Sequence, residues 1–134
     1  MDPLFSALKL LTYKEDYLSK EKTITGFTSI SEWIGYELTG KLGIAESQAC
    51  ETQLYDTKEF KWSEELMDIF EVEEKILPDV YATGEVLGYV GEEKIPFIVC
   101  GADTQMAVEG VDAKAGDVVM VSGTTSPIVA VVEK

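Results

Sequence analysis

Two short stretches of this 134-residue chain carry residue types that could do chemistry. The first is Asp103, which follows the run Ile95-Pro96-Phe97-Ile98-Val99-Cys100-Gly101-Ala102 and precedes a helical pattern from Thr104 to about Glu109. In open α/β sheets, ligands collect where a buried strand ends and a helix begins. A carboxylate there can accept a proton from a substrate hydroxyl, and the neighbouring helix N–H groups favour an anion such as phosphate. Aspartate is also a preferred N-cap, and position alone favours that plainer use. The second stretch is Gly123-Thr124-Thr125-Ser126. Glycine permits close backbone approach, and three successive hydroxyls can donate to phosphate oxygens. An ordinary hairpin turn uses the same residues without any ligand. Neither GxxxxGK[ST] nor GxGxxG occurs in the chain.

Composition narrows the chemistry further. The chain has 25 acidic and 11 basic residues, a net charge of −14, and every basic residue is lysine. Histidine, arginine and asparagine are absent. Imidazole general bases, Ser-His and Cys-His nucleophile pairs and imidazole metal ligands are therefore excluded, as is a bidentate guanidinium clamp on phosphate or carboxylate. The negative charge argues against nucleic acid and against an anionic membrane as partners. Hydrophobic residues make up 46%, ordinary for a globular chain, and the length suits one domain. No apolar run is long enough to span a bilayer. Met1-Asp2-Pro3-Leu4 lacks the basic start and apolar block of a signal peptide. A cytoplasmic, reducing location is expected, with Cys50 and Cys100 as buried small hydrophobes rather than a disulfide.

These candidate residues need elements to hold them. The pattern predicts an α/β (α+β) chain with a helical first half and a strand-rich second half. Leu4, Leu8 and Leu11, with Leu10 beside them, predict a helix from Pro3 to Leu18. Ser29-Ile30-Ser31-Glu32 fits a capping box, in which Ser29 and Glu32 would satisfy each other's free backbone N–H groups. Ile30, Trp33, Ile34 and Leu38 give the following helix an apolar face, and Gly40 a stop. Lys41 to Phe60 reads as loop with short extended pieces. Ser63 caps a third helix with Leu66, Ile69 and Phe70 on its apolar face. The acidic stretch Glu59 to Glu74 reads as a solvated helix face. Gly84 to Val90 is a strand or hairpin arm, and Ile95 to Cys100 a strand covered on both faces. The helix after Asp103 would turn Met106 and Ala107 inward. Val118 to Val121 and Ile128 to Val132 predict a closing antiparallel hairpin around Ser122 to Pro127.

Taken in order, several segments resemble one family. Glu32-Trp33-Ile34-Gly35-Tyr36-Glu37-Leu38-Thr39-Gly40 resembles the "D-Y-L-x-x-x-L-T-G" helix of the FGGY carbohydrate kinases. Glu46-Ser47-Gln48-Ala49-Cys50-Glu51-Thr52 is similar to that family's "D-x-S-x-A-S-x-T" loop. Lys61-Trp62-Ser63, Leu77-Pro78 and the Gly84 to Val90 segment follow in the family's order. Ile98 to Asp103 matches "V-V-x-G-G-x-D", Gly116-Asp117 matches "P-G-D", and Ser122-Gly123-Thr124-Thr125 matches "G-T-S".

The resemblance implies part of a ribonuclease H-like, actin-like ATPase domain, with residues 1–134 forming a single partial domain, the C-terminal half of an FGGY kinase N-terminal domain. It implies an ATP- and Mg²⁺-dependent kinase, xylulokinase-like, that moves the γ-phosphoryl of ATP to a hydroxyl of a ketose, sugar or polyol. Carried over by position, Asp103 is the base and lies near the metal, and Gly123, Thr124 and Thr125 lie at the ATP phosphates. Asp103, Thr104 and Gln105 would contact the sugar. The sequence departs from the family at Ala102, where a second glycine is common, at Thr104, where an amide is frequent, and at Ser126-Pro127, which replaces a glycine. The "D-x-G-T" phosphate loop and the adenine-holding C-terminal domain have no counterpart here. The chain alone is therefore expected to be inactive, and its open edges are expected to drive homo-oligomer formation. The alternatives are a non-catalytic binding or interaction module built on the same half-domain and a remnant without a ligand.

Overall fold

The computed structural model describes residues 5–17, 24–124 and 126–133. Its elements in chain order are α1 (Ser6–Tyr17), α2 (Ile30–Thr39), β1 (Gly43–Ala45), α3 (Glu46–Cys50), β2 (Tyr55–Asp56), β3 (Lys61–Trp62), α4 (Glu64–Ile69), a 3₁₀ turn (Glu74–Ile76), β4 (Asp79–Tyr81), β5 (Val86–Val90), β6 (Ile95–Ile98), α5 (Asp103–Gly110), β7 (Val118–Met120) and β8 (Ile128–Ala130). The strands pair two by two: β1 with β4 in parallel, and β2 with β3, β5 with β6 and β7 with β8 antiparallel. The α/β class and the closing hairpin stand as read from sequence. The ends of the first predicted helix, Pro3, Leu4 and Leu18, lie outside the described residues.

Among the described residues, three small apolar clusters hold these pieces. Ala7 and Leu10 of α1 pack with Leu54, Phe70, Val72 and Ile76. Ile44, Ala49 and Tyr55 form a second cluster against Trp62, whose ring meets Tyr55 edge-on at 5.6 Å. The Trp62 indole N–H donates to the Pro78 carbonyl at 3.0 Å, tying the β2–β3 ribbon to the start of β4. Ala45, Leu87 and Val99 make the third cluster, which joins β1 to the β5–β6 hairpin.

Several expected details change. The Lys41 to Phe60 region contains α3, too short for a helical period to show. In α4, Ser63 caps as expected by accepting from the Leu66 N–H at 3.3 Å, but the buried residues are Met67 and Phe70, while Ile69 is exposed. Ser29 and Glu32 do not form a capping box to the backbone. The Ser29 hydroxyl instead donates directly to the Glu32 carboxylate, which is buried. Gly40 ends α2 with φ +73° and its N–H on the Tyr36 carbonyl at 2.7 Å.

The expected apolar face of α2 does not point into this chain. Ile30, Trp33, Ile34 and Leu38 are exposed, Ile30 by 78%. The helix rests on the hairpin through its small side. A Cβ on Gly88 of β5 would lie 2.7 Å from Thr39 Cβ, so the glycine is what lets helix and strand approach. Ile95 to Cys100 is likewise not covered on both faces, because Ile95, Pro96, Ile98 and Cys100 are exposed. Cys50 and Cys100 are free and exposed, not buried. The acidic residues of α4 and the following turn are solvent-facing, as read from sequence.

Candidate functional site

The site is built at the C-terminal end of the β5–β6 hairpin. Beyond β6 the pairing continues irregularly: the Val99 N–H donates to the Glu85 carbonyl and the Gly84 N–H to the Val99 carbonyl, both at 2.8 Å. The Thr83 hydroxyl then donates to the Cys100 carbonyl at 2.7 Å. Two residues later the Ala102 N–H donates to the Ser47 hydroxyl oxygen of α3 at 3.0 Å. Cys100-Gly101-Ala102 is thus held by α3 and by the turn between β4 and β5. The chain turns there into α5, with extended Ala102 as its N-cap (φ −64°, ψ 145°) and Asp103 as its first helical residue.

Asp103 is therefore not the cap residue. It is exposed, and its Oδ1 accepts from the Thr104 N–H at 2.6 Å and from the Thr104 hydroxyl at 3.4 Å. Thr104 is half-buried and Gln105 exposed, so all three predicted substrate-side residues share one helical turn. Farther along α5, Met106 is half-buried but Ala107 is exposed, contrary to the inward placement expected of it. Gly123 and Thr124 are exposed in the β7–β8 loop, and Thr125 lies outside the described residues. The two groups sit on separate elements, and among the described residues no hydrogen bond joins them.

Three nearby features were not singled out from sequence. Glu51, the residue after α3, has a carboxyl pushed above the ordinary glutamate range, first by partial burial and then by the negative charge of Asp103. A second carboxylate therefore stands close enough to Asp103 to feel it. Ser47 reaches the turn from α3, and the only signal for it was its place in the Glu46–Thr52 motif. A cavity of about 170 Å³ opens beside Gly101, bordered by Glu32, Gln48, Leu87 and Phe97. Its carboxylate, Glu32, is the one buried residue of the Ser29–Glu32 motif; Ser29, Ile30 and Ser31 are exposed. Among the described residues, no group of three or more His, Cys, Asp or Glu side chains is arranged to hold a metal ion.

Chemically, the turn held by the Thr83 and Ser47 hydroxyls offers an exposed carboxylate as proton acceptor, next to a hydroxyl and an amide suited to a polyhydroxylated ligand. The β7–β8 loop offers backbone and hydroxyl donors suited to an anion.

Residues 1–110 match the model of the FGGY family of carbohydrate kinases, N-terminal domain. The putative sugar kinase YoaC of Bacillus subtilis is 42% identical over 139 residues, covering 97% of this chain and 28% of that protein. A glycerol kinase of Thermococcus kodakarensis is 33% identical, covering 99% of this chain and 29% of that protein. Among solved structures, the ligand-bound xylulose kinase of Lactobacillus acidophilus superposes with a TM-score of 0.84 at 24% identity, over 94% of this chain and 28% of that one. The Plasmodium falciparum glycerol kinase with ADP gives 0.84 at 24% identity, over 95% and 28%. The chain thus spans less than a third of the length of the relatives it matches.

Proposed function

This chain belongs to the FGGY family of carbohydrate kinases, and from that premise we propose that it serves as part of a kinase moving the γ-phosphoryl of ATP to a hydroxyl of a sugar or polyol, with Asp103 as the base. The observation that carries the reading is the placement of Asp103: exposed, first in α5, at the end of a segment pinned by Thr83 and Ser47. The substrate hydroxyl gives its proton to the Asp103 carboxylate as its oxygen bonds to the γ-phosphorus and the bond from phosphorus to the ADP oxygen breaks. Such transfers depend mainly on positioning and charge stabilisation, which a carboxylate and fixed donors can supply without histidine. The Thr104 N–H on Oδ1 fixes the orientation of the carboxylate on the first turn of α5. Thr104 and Gln105 are placed to contact neighbouring hydroxyls of the same substrate.

Gly123, Thr124 and the adjoining Thr125 are the proposed contacts to the nucleotide phosphates. ADP in the Plasmodium glycerol kinase is consistent with ATP as the donor here. Magnesium is usually held by one or two carboxylates together with substrate phosphates and water. The exposed carboxylate of Asp103, with Glu51 nearby, fits that mode, although no cluster of three ligands exists among the described residues. When bound, the ion would neutralise charge developing on the phosphates.

The substrate class rests on the relatives named above, a putative sugar kinase, two glycerol kinases and a xylulose kinase. All of these substrates are polyhydroxylated, which supports a sugar or polyol acceptor. A cytoplasmic location is proposed from the same metabolic class. Residues 1–134 are proposed to form one partial domain that is inactive and self-associated on its own, since Trp33, Ile34 and Leu38 lie bare on α2.

The test is a graft of these residues into the Bacillus relative in place of its matching stretch, assayed with ATP, magnesium and a panel of ketoses and polyols. The graft is expected to be active and the isolated chain silent. Asp103→Asn in the graft is expected to lower kcat by roughly 10²–10⁴-fold. Near-full activity of Asp103→Asn would end the assignment of the base.

A further inference from the structure

We propose that Ser47 is a positioning residue for Asp103, an inference that rests on the reading of Asp103 as the base. Ser47 lies in α3, remote in sequence from the turn it holds. Its Oγ accepts from the Ala102 N–H at 3.0 Å. Ala102 is only 5% exposed, so this N–H is withdrawn from water and needs a protein acceptor. No side chain caps α5 locally, and the Ala102 carbonyl accepts the first helical bond, from the Met106 N–H at 2.9 Å. Ser47 therefore fixes the one residue from which the helix departs.

The fit around the hydroxyl is close. A Cβ on Gly101 would come within 2.7 Å of Ser47 Oγ and 2.9 Å of Met106 Cε. The glycine leaves the space that the serine oxygen occupies. On the other side of the turn, the Thr83 hydroxyl holds the Cys100 carbonyl at 2.7 Å. Three residues are thus clamped between two hydroxyls, and Asp103 is the next residue along. Its Oδ1 takes the Thr104 N–H at 2.6 Å, so the orientation of the carboxylate depends on where α5 starts. A proton acceptor displaced by even an ångström loses much of its advantage. Serine and threonine can supply an oxygen at this point, alanine cannot, and cysteine offers a poorer acceptor.

The test uses the 134-residue chain, labelled with ¹⁵N for amide exchange. Ser47→Ala is expected to speed exchange of the Ala102 amide at least tenfold and to move the Thr104 amide resonance, which reports the bond to Asp103. Amides within β5 and β6 should keep their rates, and Ser47→Thr should restore both signals. Should Ser47→Ala not fold, Ser47→Cys gives the same readout. An unchanged Ala102 rate, or a loss of protection spread evenly over the chain, would overturn the inference. In the active graft, Ser47→Ala is expected to reduce kcat on the order of tenfold with KM unchanged, and Ser47→Thr to recover it. Wild-type kcat in Ser47→Ala beside a dead Asp103→Asn would refute the positioning role alone. An active Asp103→Asn would remove the base itself, whatever Ser47 does.

Discussion

Replacing Gly43 by alanine should destabilise the chain through one identifiable clash. Gly43 begins β1, opposite Asp79 of β4, and is buried between two neighbouring elements. An added Cβ would lie 2.6 Å from Leu87 Cδ1, 2.6 Å from Tyr81 Cε2 and 2.8 Å from Tyr81 Cδ2. Ordinary carbon contacts are about 3.5–4.0 Å, so both neighbours would have to retreat by roughly an ångström. Leu87 is 1% exposed and packs against Ala45 and Val99, so it has no free volume to enter. Overpacking of this kind costs about 1–3 kcal/mol. The alanine returns about 0.4–1 kcal/mol by restricting the unfolded chain. A net loss of about 1–2 kcal/mol remains, which for a chain of this size lowers Tm by roughly 3–8 °C. Circular dichroism melts, with urea curves to check that the m-value is unchanged, measure it. The comparison is Gly110→Ala, where no atom outside the local helix lies within 4 Å of the new Cβ. That variant should melt with wild type or slightly above it. Gly43→Ala melting together with Gly110→Ala would show that β1, β4 and β5 are not packed as described.

Two further outcomes are expected. Glu51 has a raised pKa in the folded chain, from partial burial and then from Asp103, so the stability it allows is full at low pH and falls as pH rises through the folded value. Glu51→Gln should therefore be more stable than wild type at neutral pH, by no more than a few tenths of a kcal/mol because the side chain is solvent-screened. The gain should vanish below the ordinary glutamate range, and chemical denaturation at pH 7 and pH 3 tests this; a gain seen only at pH 3 would contradict it. Trp33 is 53% exposed on the bare side of α2, and Trp33→Lys should shift the chain toward smaller species in concentration-dependent light scattering. Equal mass for both proteins at every concentration would separate α2 from any self-association.

What the sequence made legible follows from how far each signal reaches. Gly40, Ser63 and the β7–β8 hairpin depend on local backbone rules, and each stands where those rules put it. The apolar stripe of α2 was legible as a stripe but not as a direction. Periodicity shows that Trp33, Ile34 and Leu38 share a face, whereas the side that packs was set by the small residues Gly88 and Thr39, which make no pattern. Asp103 could be placed to within one residue because a strand-to-helix junction is a local event. Ser47 could not be joined to it, because that contact depends on β1 launching α3 toward a turn far along the chain. The same holds for Glu51, whose nearness to Asp103 belongs to the tertiary fold.

The charge of the chain bears on the proposed chemistry in a specific way. A net charge of −14 with no arginine is a poor background for a polyanionic nucleotide. The turn carrying Asp103 makes this sharper, because Glu51 adds a second carboxylate nearby. On the proposed reading, the donors that face phosphate from this chain are backbone N–H groups and hydroxyls of the β7–β8 loop, which bring no net positive charge. Their contribution is direction and distance. Attraction over longer range would have to come from magnesium and from lysines or helix ends elsewhere in the active assembly.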